Sequence, residues 1–237
     1  ENYNYVPVDA PKMSISNWPE MRSYTNIPKR GQVSDSIAID LIHGYYATVS
    51  YSDALVGKIL DALKEQGLDK NTIVVLVADH GYNLQEHTQW AKFTNYNTST
   101  QVPLIIYNPL ANATGSTDAL TALVDVYPTL AEICALKPPA GQLDGTSLVA
   151  VMSNPKSEGK KHVFIKRGKG FTLKTKDFSY TEFIRPTDNT TVASMLYDHR
   201  SNKDENVNVA NQKEFADVVL ELKTTLHTVF KKNIVGE

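Results

Sequence analysis

The chain has 237 residues with 24 basic and 26 acidic side chains, which gives a formal net charge of -2. Hydrophobic residues make up 41% of it, enough for a sizeable core, and this composition excludes collagen-like, coiled-coil and wholly disordered proteins. The near-balance of charge gives no overall field that favours nucleic acid or an anionic membrane. No apolar run approaches the roughly 18 residues of a membrane-spanning helix, and the single cysteine, Cys134, excludes an internal disulfide framework.

The start of the chain indicates an irregular arm on a piece of a larger protein. The first residue is Glu1 rather than Met, and no basic stretch followed by an apolar run opens the sequence, so we interpret the chain as processed or excised. Residues 1–33 are rich in Asn, Pro, Tyr and Ser and show no sustained period. The aromatic residues of this arm predict that it packs against another surface: Tyr3, Tyr5, Trp18 and Tyr24.

A long amphipathic helix is predicted over residues 34–67, because apolar side chains recur there at intervals of three or four. Ser34 or Asp35 can cap its start. Gly67 suits the left-handed residue that commonly follows the end of a helix.

Two continuous apolar runs, residues 73–78 and 102–107, predict strands that are buried on both faces. A helix with Pro128 in its first turn is predicted over residues 127–136, where Cys134 is expected to be a small core residue. Alternation of buried strands with helices is typical of an α/β domain. We expect the end of a largely parallel sheet with helices on both faces.

The pattern after about residue 155 predicts a small antiparallel sheet, because short segments are separated by hairpin-scale gaps. These segments are residues 162–166, 171–176, 179–184 and 194–197. Residues 212–232 carry apolar side chains on one stripe and predict a closing amphipathic helix. We therefore divide the chain into a main α/β portion, residues 1–155, and a small C-terminal subdomain, residues 156–237.

The densest group of chemically versatile side chains follows the first predicted strand. Asp79 and His80 leave this strand at its carboxyl end, where ligands bind in open α/β sheets. Adjacent carboxylate and imidazole groups can reach one divalent cation if the backbone turns sharply, and Gly81 allows such a turn. Lys92 would add a movable cation for an anionic substrate oxygen. An equally simple interpretation makes Asp79 a helix cap and His80 a hydrogen-bonded core histidine.

The sequence around this group matches a known family in several places. The matching runs occur in order at residues 45–53, 72–81, 84–92, 100–107, 124–131, 143–148 and 196–198, followed by Glu205 and Asn206. They resemble the sulfatases of the alkaline phosphatase superfamily, nearest to the iduronate-2-sulfatase branch. The resemblance extends over about residues 34–230. The Glu-His-x-x-Trp-Ala-Lys run that ends at Lys92 is its most specific motif.

The resemblance implies roles for particular residues. Asp79 and His80 match the family positions that bind calcium, and Lys92 matches the lysine that holds a sulfate oxygen. Glu86, His87 and Trp90 match positions that line the site, which makes them candidate substrate-binding residues.

The nucleophile of the family is missing from the sequence. Sulfatases of this class use a formylglycine made from the Cys or Ser of a Cys-x-Pro-Ser-Arg motif, and neither this motif nor the upstream pair of metal-binding aspartates occurs here. The chain therefore resembles the C-terminal half of a sulfatase, with the N-terminal half as its partner and a sulfated sugar as the substrate. Two alternatives remain: a superfamily phosphodiesterase with zinc at the same two residues, which the lysine-containing run disfavours, or a non-catalytic, sulfatase-derived binding protein.

Three Asn-x-Ser/Thr sequons point to a secretory route. We predict glycosylation at Asn112 and Asn189. Asn97 lies near the proposed site and is not expected to be modified. A lysosomal or secreted protein follows from these sequons and from the resemblance.

Overall fold

The structure, a computed structural model, describes residues 4–111, 114–138 and 141–234. Packing divides it into two compact units, one within Ile15–Asn112 and Glu1–Val6 and the other within Pro7–Ser14 and Ala113–Glu237. The α/β class is confirmed, since both units combine helices with strands. Within the described residues, no helix is both long enough and apolar enough to cross a membrane. This division by packing does not test the predicted boundary at residues 155 and 156, which stays a prediction.

The first unit contains the predicted long helix. Its elements are α1 Asp35–Glu65, β1 Val74–Val77, β2 Asn83–Leu84, β3 Trp90–Ala91, α2 Asn97–Thr100 and β4 Leu104–Tyr107. Ser34 is the N-cap of α1, and its side chain accepts a hydrogen bond from the amide of Ile37. Gly67 has a φ of 69° just beyond the helix, as the sequence predicts. Ala38 is the one buried residue of α1, all of which the structure describes.

The two apolar runs pair with each other as an antiparallel two-stranded sheet, with Val74 opposite Tyr107. The predicted burial on both faces is wrong for this chain, because Leu76 is 38% exposed and Ile105 is 58% exposed. The connection between the strands carries the short antiparallel pair β2–β3 and the four-residue α2, with no long helix of the kind that usually joins parallel strands. The wider, largely parallel sheet is not seen in the described residues and stays a prediction.

The second unit is built on the predicted antiparallel sheet. Its elements are α3 Val126–Ile133, α4 Val149–Ser153, β5 Val163–Arg167, β6 Gly170–Lys174, β7 Phe178–Arg185, β8 Thr190–Asp198 and α5 Ala216–Ile234. The four strands lie in the order β5-β6-β7-β8, and every pair is antiparallel. The closing helix α5 packs on this sheet, with Leu222 and Leu226 in one buried cluster with Leu173 and Leu196. Both C-terminal predictions are confirmed.

Two details of the sequence analysis need correction. Cys134 is exposed rather than buried, because α3 ends before it and Cys134 is the C-cap residue. In the N-terminal arm Trp18 packs as predicted and is 3% exposed, whereas Tyr5 and Tyr24 are 44% and 49% exposed. Tyr3 lies outside the described residues.

Candidate functional site

Asp79 and His80 lie directly beyond β1 and contact each other. His80 Nε2 is 3.6 Å from Asp79 Oδ2, and His80 Nδ1 is 2.9 Å from the carbonyl oxygen of Gly81. Because a carbonyl oxygen can only accept, Nδ1 is the donor of this hydrogen bond, and Nε2 is the ring nitrogen that faces the carboxylate. Histidines that bind metals have this arrangement, in which the second ring nitrogen donates to a carbonyl or carboxylate.

The surroundings of the pair contradict the simpler interpretation of these residues. No helix begins at Asp79, since β2 is the next element of this described segment, and the carboxylate accepts a hydrogen bond from the amide of His80. The His80 side chain is 35% exposed and the Asp79 side chain 88% exposed, so neither belongs to a core. Both potential metal donors are open to solvent.

The pair fits one part of a calcium site. A carboxylate oxygen is the ligand type that Ca²⁺ prefers, but the ion takes roughly six to eight ligands, so two residues do not complete its coordination. Within the described ranges no cluster of three His, Cys, Asp or Glu side chains could hold a metal. A complete site at Asp79 and His80 therefore needs further ligands.

Gly81 is required by a close approach of the backbone. A Cβ atom at this position would lie 2.0 Å from the carbonyl oxygen of Thr98. The amide of Gly81 also donates to the carbonyl of Ser99 at 2.9 Å. Gly81 is not among the residues with a positive φ, so the expected reason for this glycine, conformational freedom, is corrected to a lack of space.

The loop between Asn83 and Lys92 is held in a strained conformation. Four of its non-glycine residues have positive φ angles: Gln85, His87, Thr88 and Ala91, at 86°, 53°, 61° and 63°. Such residues typically cost about 1–3 kcal/mol each and cluster at functional sites. Asn83 is fully buried and fixes the loop by donating to the Ala91 carbonyl at 2.6 Å and to Ser99 Oγ at 2.7 Å.

The three candidate substrate-binding residues of this loop support its conformation. The Glu86 carboxylate accepts a hydrogen bond from the amide of Leu84. His87 is 2% exposed with its ring 4.6 Å from the ring of Tyr96, and Trp90 is 1% exposed within an apolar cluster. A substrate contact for Glu86, His87 or Trp90 stays a prediction.

Lys92 forms an ion pair that the sequence analysis missed. Its Nζ lies 3.2 Å from Oε2 and 3.5 Å from Oε1 of Glu20, and the side chains of Lys92 and Glu20 are 29% and 39% exposed. Glu20 precedes Lys92 by 72 residues and lies in an arm without any periodic pattern. The available signal was Trp18, a large aromatic residue that fixes this part of the arm.

Tyr82 lies close in sequence to the metal-binding candidates, and its pKa is affected by Glu20 of this ion pair. It follows His80 by two residues, and its pKa is raised by burial and, to a lesser degree, by the nearby Tyr24, Glu20 and Tyr45. The ring of Tyr45 stacks on that of Tyr82, with 5.3 Å between the ring centres. The segment that carries His80 therefore lies within electrostatic reach of the partner of Lys92.

The sequons differ in what the structure describes. Asn189 is exposed in the turn between β7 and β8 and has a φ of 55°. Asn112 lies outside the described residues. Glycosylation at either asparagine stays a prediction.

Comparisons with known proteins bear on this arrangement. The sequence profile of the sulfatase family matches residues 10–134, and that of the C-terminal region of N-sulphoglucosamine sulphohydrolase matches residues 85–232. Arylsulfatase K of Rattus norvegicus is 27% identical over 245 residues, which cover 97% of this chain and 42% of that protein. Iduronate 2-sulfatase of Mus musculus is 29% identical over 166 residues, which cover 57% of this chain and 30% of that protein.

A solved structure shares the fold. It is a protein in complex with its substrate D-glucosamine-2-N,6-O-disulfate, with a TM-score of 0.73 and 26% identity over 81% of this chain and 41% of that chain. The chain thus spans less than half the length of each of these three relatives. The resemblance carried by the residues around Asp79 and Lys92 is confirmed, because one matched profile includes both. This chain is a member of the sulfatase family.

Proposed function

We propose that this chain is the C-terminal part of a sulfatase that hydrolyses sulfate esters of a sugar, with transfer of the sulfuryl group to water. The observation that carries the proposal is the Asp79–His80 pair, in which His80 Nε2 lies 3.6 Å from a carboxylate oxygen of Asp79 and Nδ1 faces the Gly81 carbonyl. The sulfated sugar is supported by the name of the iduronate 2-sulfatase relative and by the disulfated glucosamine bound to the structural relative.

The residues of this chain would divide the work between binding the metal and binding the sulfate. Asp79 would give a carboxylate oxygen and His80 its Nε2, while the Gly81 carbonyl holds the imidazole in the required tautomer. A bound calcium ion would supply positive charge that withdraws electron density from sulfate oxygens. Lys92 would contact a sulfate oxygen and stabilise the charge that develops as the bond between sulfur and the leaving oxygen breaks.

The nucleophile and the remaining metal ligands would come from the N-terminal part of the same protein. The sequence contains no Cys-x-Pro-Ser-Arg motif from which a formylglycine could form. The sheet of β1 and β4 has only two strands, and it leaves Ile105 and Tyr107 58% and 55% exposed. Helix α1 likewise leaves Ile39 and Ile59 66% and 69% exposed. Two-stranded sheets with open apolar faces are marginal alone, so the N-terminal part would extend and cover them.

A lysosomal or secreted location is part of the proposal. It is supported by the exposed sequon at Asn189 and by the membership of the sulfatase family. Removal of N-glycans from the protein made in a secretory host, followed by mass analysis of the peptide that contains Asn189, tests it.

The role of Lys92 is tested by Lys92→Met in the intact protein, because methionine keeps the length and removes the charge. Loss of one preorganised charge of this kind should lower kcat for a sulfate ester by about 10²–10³-fold. Lys203→Met, a change of the same kind at an exposed position, is the matched control. Near-normal turnover by Lys92→Met contradicts the assigned role. Cleavage of a phosphate diester in preference to a sulfate ester by a zinc-loaded wild-type protein contradicts the function.

A further inference from the structure

The Glu20–Lys92 pair is placed where an anionic ligand can reach it. Both carboxylate oxygens of Glu20 approach the ammonium group, and about a third of each side chain is exposed. Partly exposed ion pairs of this kind are weak, because water and salt screen them. An incoming anion can therefore take the place of the carboxylate without disturbing the fold.

The backbone on both sides of the pair is fixed by one apolar cluster. Trp18 and Met21, which flank Glu20, are 3% and 1% exposed. Trp90, two residues before Lys92, belongs to the same cluster. Arg22 further fixes the arm by stacking its guanidinium 4.0 Å from the centre of the Trp18 ring. The two charged groups are thus preorganised to meet rather than brought together by two flexible segments.

Glu20 supplies the negative charge that lies next to the ammonium group of Lys92. Burial, and to a lesser degree the charge of Glu20, raises the pKa of the Tyr82 phenol. The phenol is therefore neutral at physiological pH. Tyr45 and Tyr24 contribute to the same effect on Tyr82. Within the described residues, the ion pair that Lys92 makes is the one with Glu20.

We propose that Glu20 is the resting counter-ion of Lys92 and that it promotes release of the sulfate product. This inference rests on the proposed function, in which Lys92 contacts sulfate. A sulfate ester carries one negative charge and displaces Glu20 from Lys92 on binding. Free sulfate carries two negative charges after hydrolysis, so the Glu20 carboxylate repels sulfate more strongly than it repels the ester. The ion pair between Glu20 and Lys92 forms again as sulfate leaves. Glu20 is a positioning residue, since it acts through Lys92.

The test is inhibition by inorganic sulfate in the intact protein. Glu20→Gln keeps the size of the side chain and removes its charge, and it should lower the inhibition constant of sulfate about tenfold, the effect of one nearby like charge. The KM for a sulfate ester should fall less, because the ester has the smaller charge. Glu20→Asp keeps the charge and should stay closer to wild type. Glu214→Gln, an exposed position in the second unit, is the matched control.

The outcomes separate this inference from the proposed function. If Glu20→Gln and Glu20→Asp lower kcat and thermal stability while the inhibition constant of sulfate stays unchanged, the role of Glu20 is structural and the inference is wrong. If Glu20→Gln tightens sulfate equally in a Lys92→Met background, Glu20 does not act through Lys92, and again only the inference fails. If the wild-type protein neither hydrolyses sulfate esters nor binds inorganic sulfate by calorimetry, the proposed function fails together with the inference.

Discussion

The sheet of β1 with β4 and the four-stranded sheet of the second unit are made from similar residues but differ in what covers them. In the second unit Leu173 of β6 is fully buried, and Leu226 of α5 packs in the same cluster at 2% exposure. In the first unit Leu76 of β1 and Ile105 of β4 are 38% and 58% exposed. Because Leu and Ile have similar hydrophobicity, composition does not explain this difference. One sheet is covered by a helix of the chain itself, whereas the described residues leave apolar side chains of the other sheet exposed.

The candidate catalytic and metal-binding residues belong to the first unit. The metal-binding candidates, Asp79 and His80, directly follow β1 of the open sheet. The closed sheet of the second unit carries none of the candidate catalytic or metal-binding residues. The proposed active site therefore lies at the sheet whose apolar side chains are exposed.

The largest expected contrast is in the effect of core truncations on stability. Leu173→Ala should lower the free energy of unfolding by about 2–5 kcal/mol, because it opens a cavity in a closed core. Ile105→Ala should change it by less than about 0.5 kcal/mol in residues 1–237 alone, where this side chain is mostly exposed. In the intact protein Ile105→Ala should become costly. Urea unfolding of both variants, in the chain alone and in the intact protein, measures these changes in the free energy of unfolding. An equal change for Ile105→Ala in the two forms would contradict the proposed cover on the sheet of β1 and β4.

A smaller effect is expected from glycine replacements in the first unit. Gly81→Ala would push a Cβ to within 2.0 Å of the Thr98 carbonyl oxygen, and such overpacking costs about 1–3 kcal/mol. Gly57→Ala, at a half-buried position of α1 with nothing within 4 Å of the new Cβ, should instead stabilise the helix by about 0.5–1 kcal/mol. Thermal melts of the two variants show whether Gly81 is required because a Cβ atom has no space there or because the backbone needs flexibility. Equal melting temperatures would contradict the explanation given for Gly81.

The smallest expected effect is on the pH dependence of stability, at the end of strand β8 in the four-stranded sheet. Arg200 donates to Asp198 Oδ1 at 2.8 Å and to Oδ2 at 2.7 Å, and these hydrogen bonds lower the pKa of Asp198. The resulting stability is present above the unfolded pKa of about 4 and is lost as pH falls through the lower folded value. Asp198→Asn should therefore flatten the dependence of unfolding free energy on pH below about pH 4. Asp61→Asn on α1 is the matched control, and an unchanged acid limb in Asp198→Asn contradicts the coupling.

Local patterns in the sequence predicted much of this structure. The Ser34 cap, the positive φ of Gly67 and the hairpins of the four-stranded sheet all follow from short-range rules. The position of Asp79 and His80 beyond a strand also followed from the chain order. These features depend on neighbours within a few residues, and the sequence contains that information directly.

The features that the sequence did not predict arise where distant segments meet. The antiparallel pairing of β1 with β4 depends on a long connection without a crossover helix, which the apolar runs themselves do not reveal. Glu20 meets Lys92 across 72 residues because Trp18 and Trp90 share a cluster. Gly81 was interpreted by its flexibility, although the reason for it is a carbonyl oxygen 17 positions further along the chain, in Thr98.

We propose that this chain holds part of a sulfatase site, on a sheet that the N-terminal part of the protein extends. The most direct measurement compares residues 1–237 alone with the intact protein in sulfate-ester hydrolysis, with a thermal melt of each. We predict hydrolysis and a cooperative melt for the intact protein, and no hydrolysis and a first unit that melts at a lower temperature than the second for the chain alone. A soluble, cooperatively melting monomer of residues 1–237 that hydrolyses sulfate esters would contradict the claim.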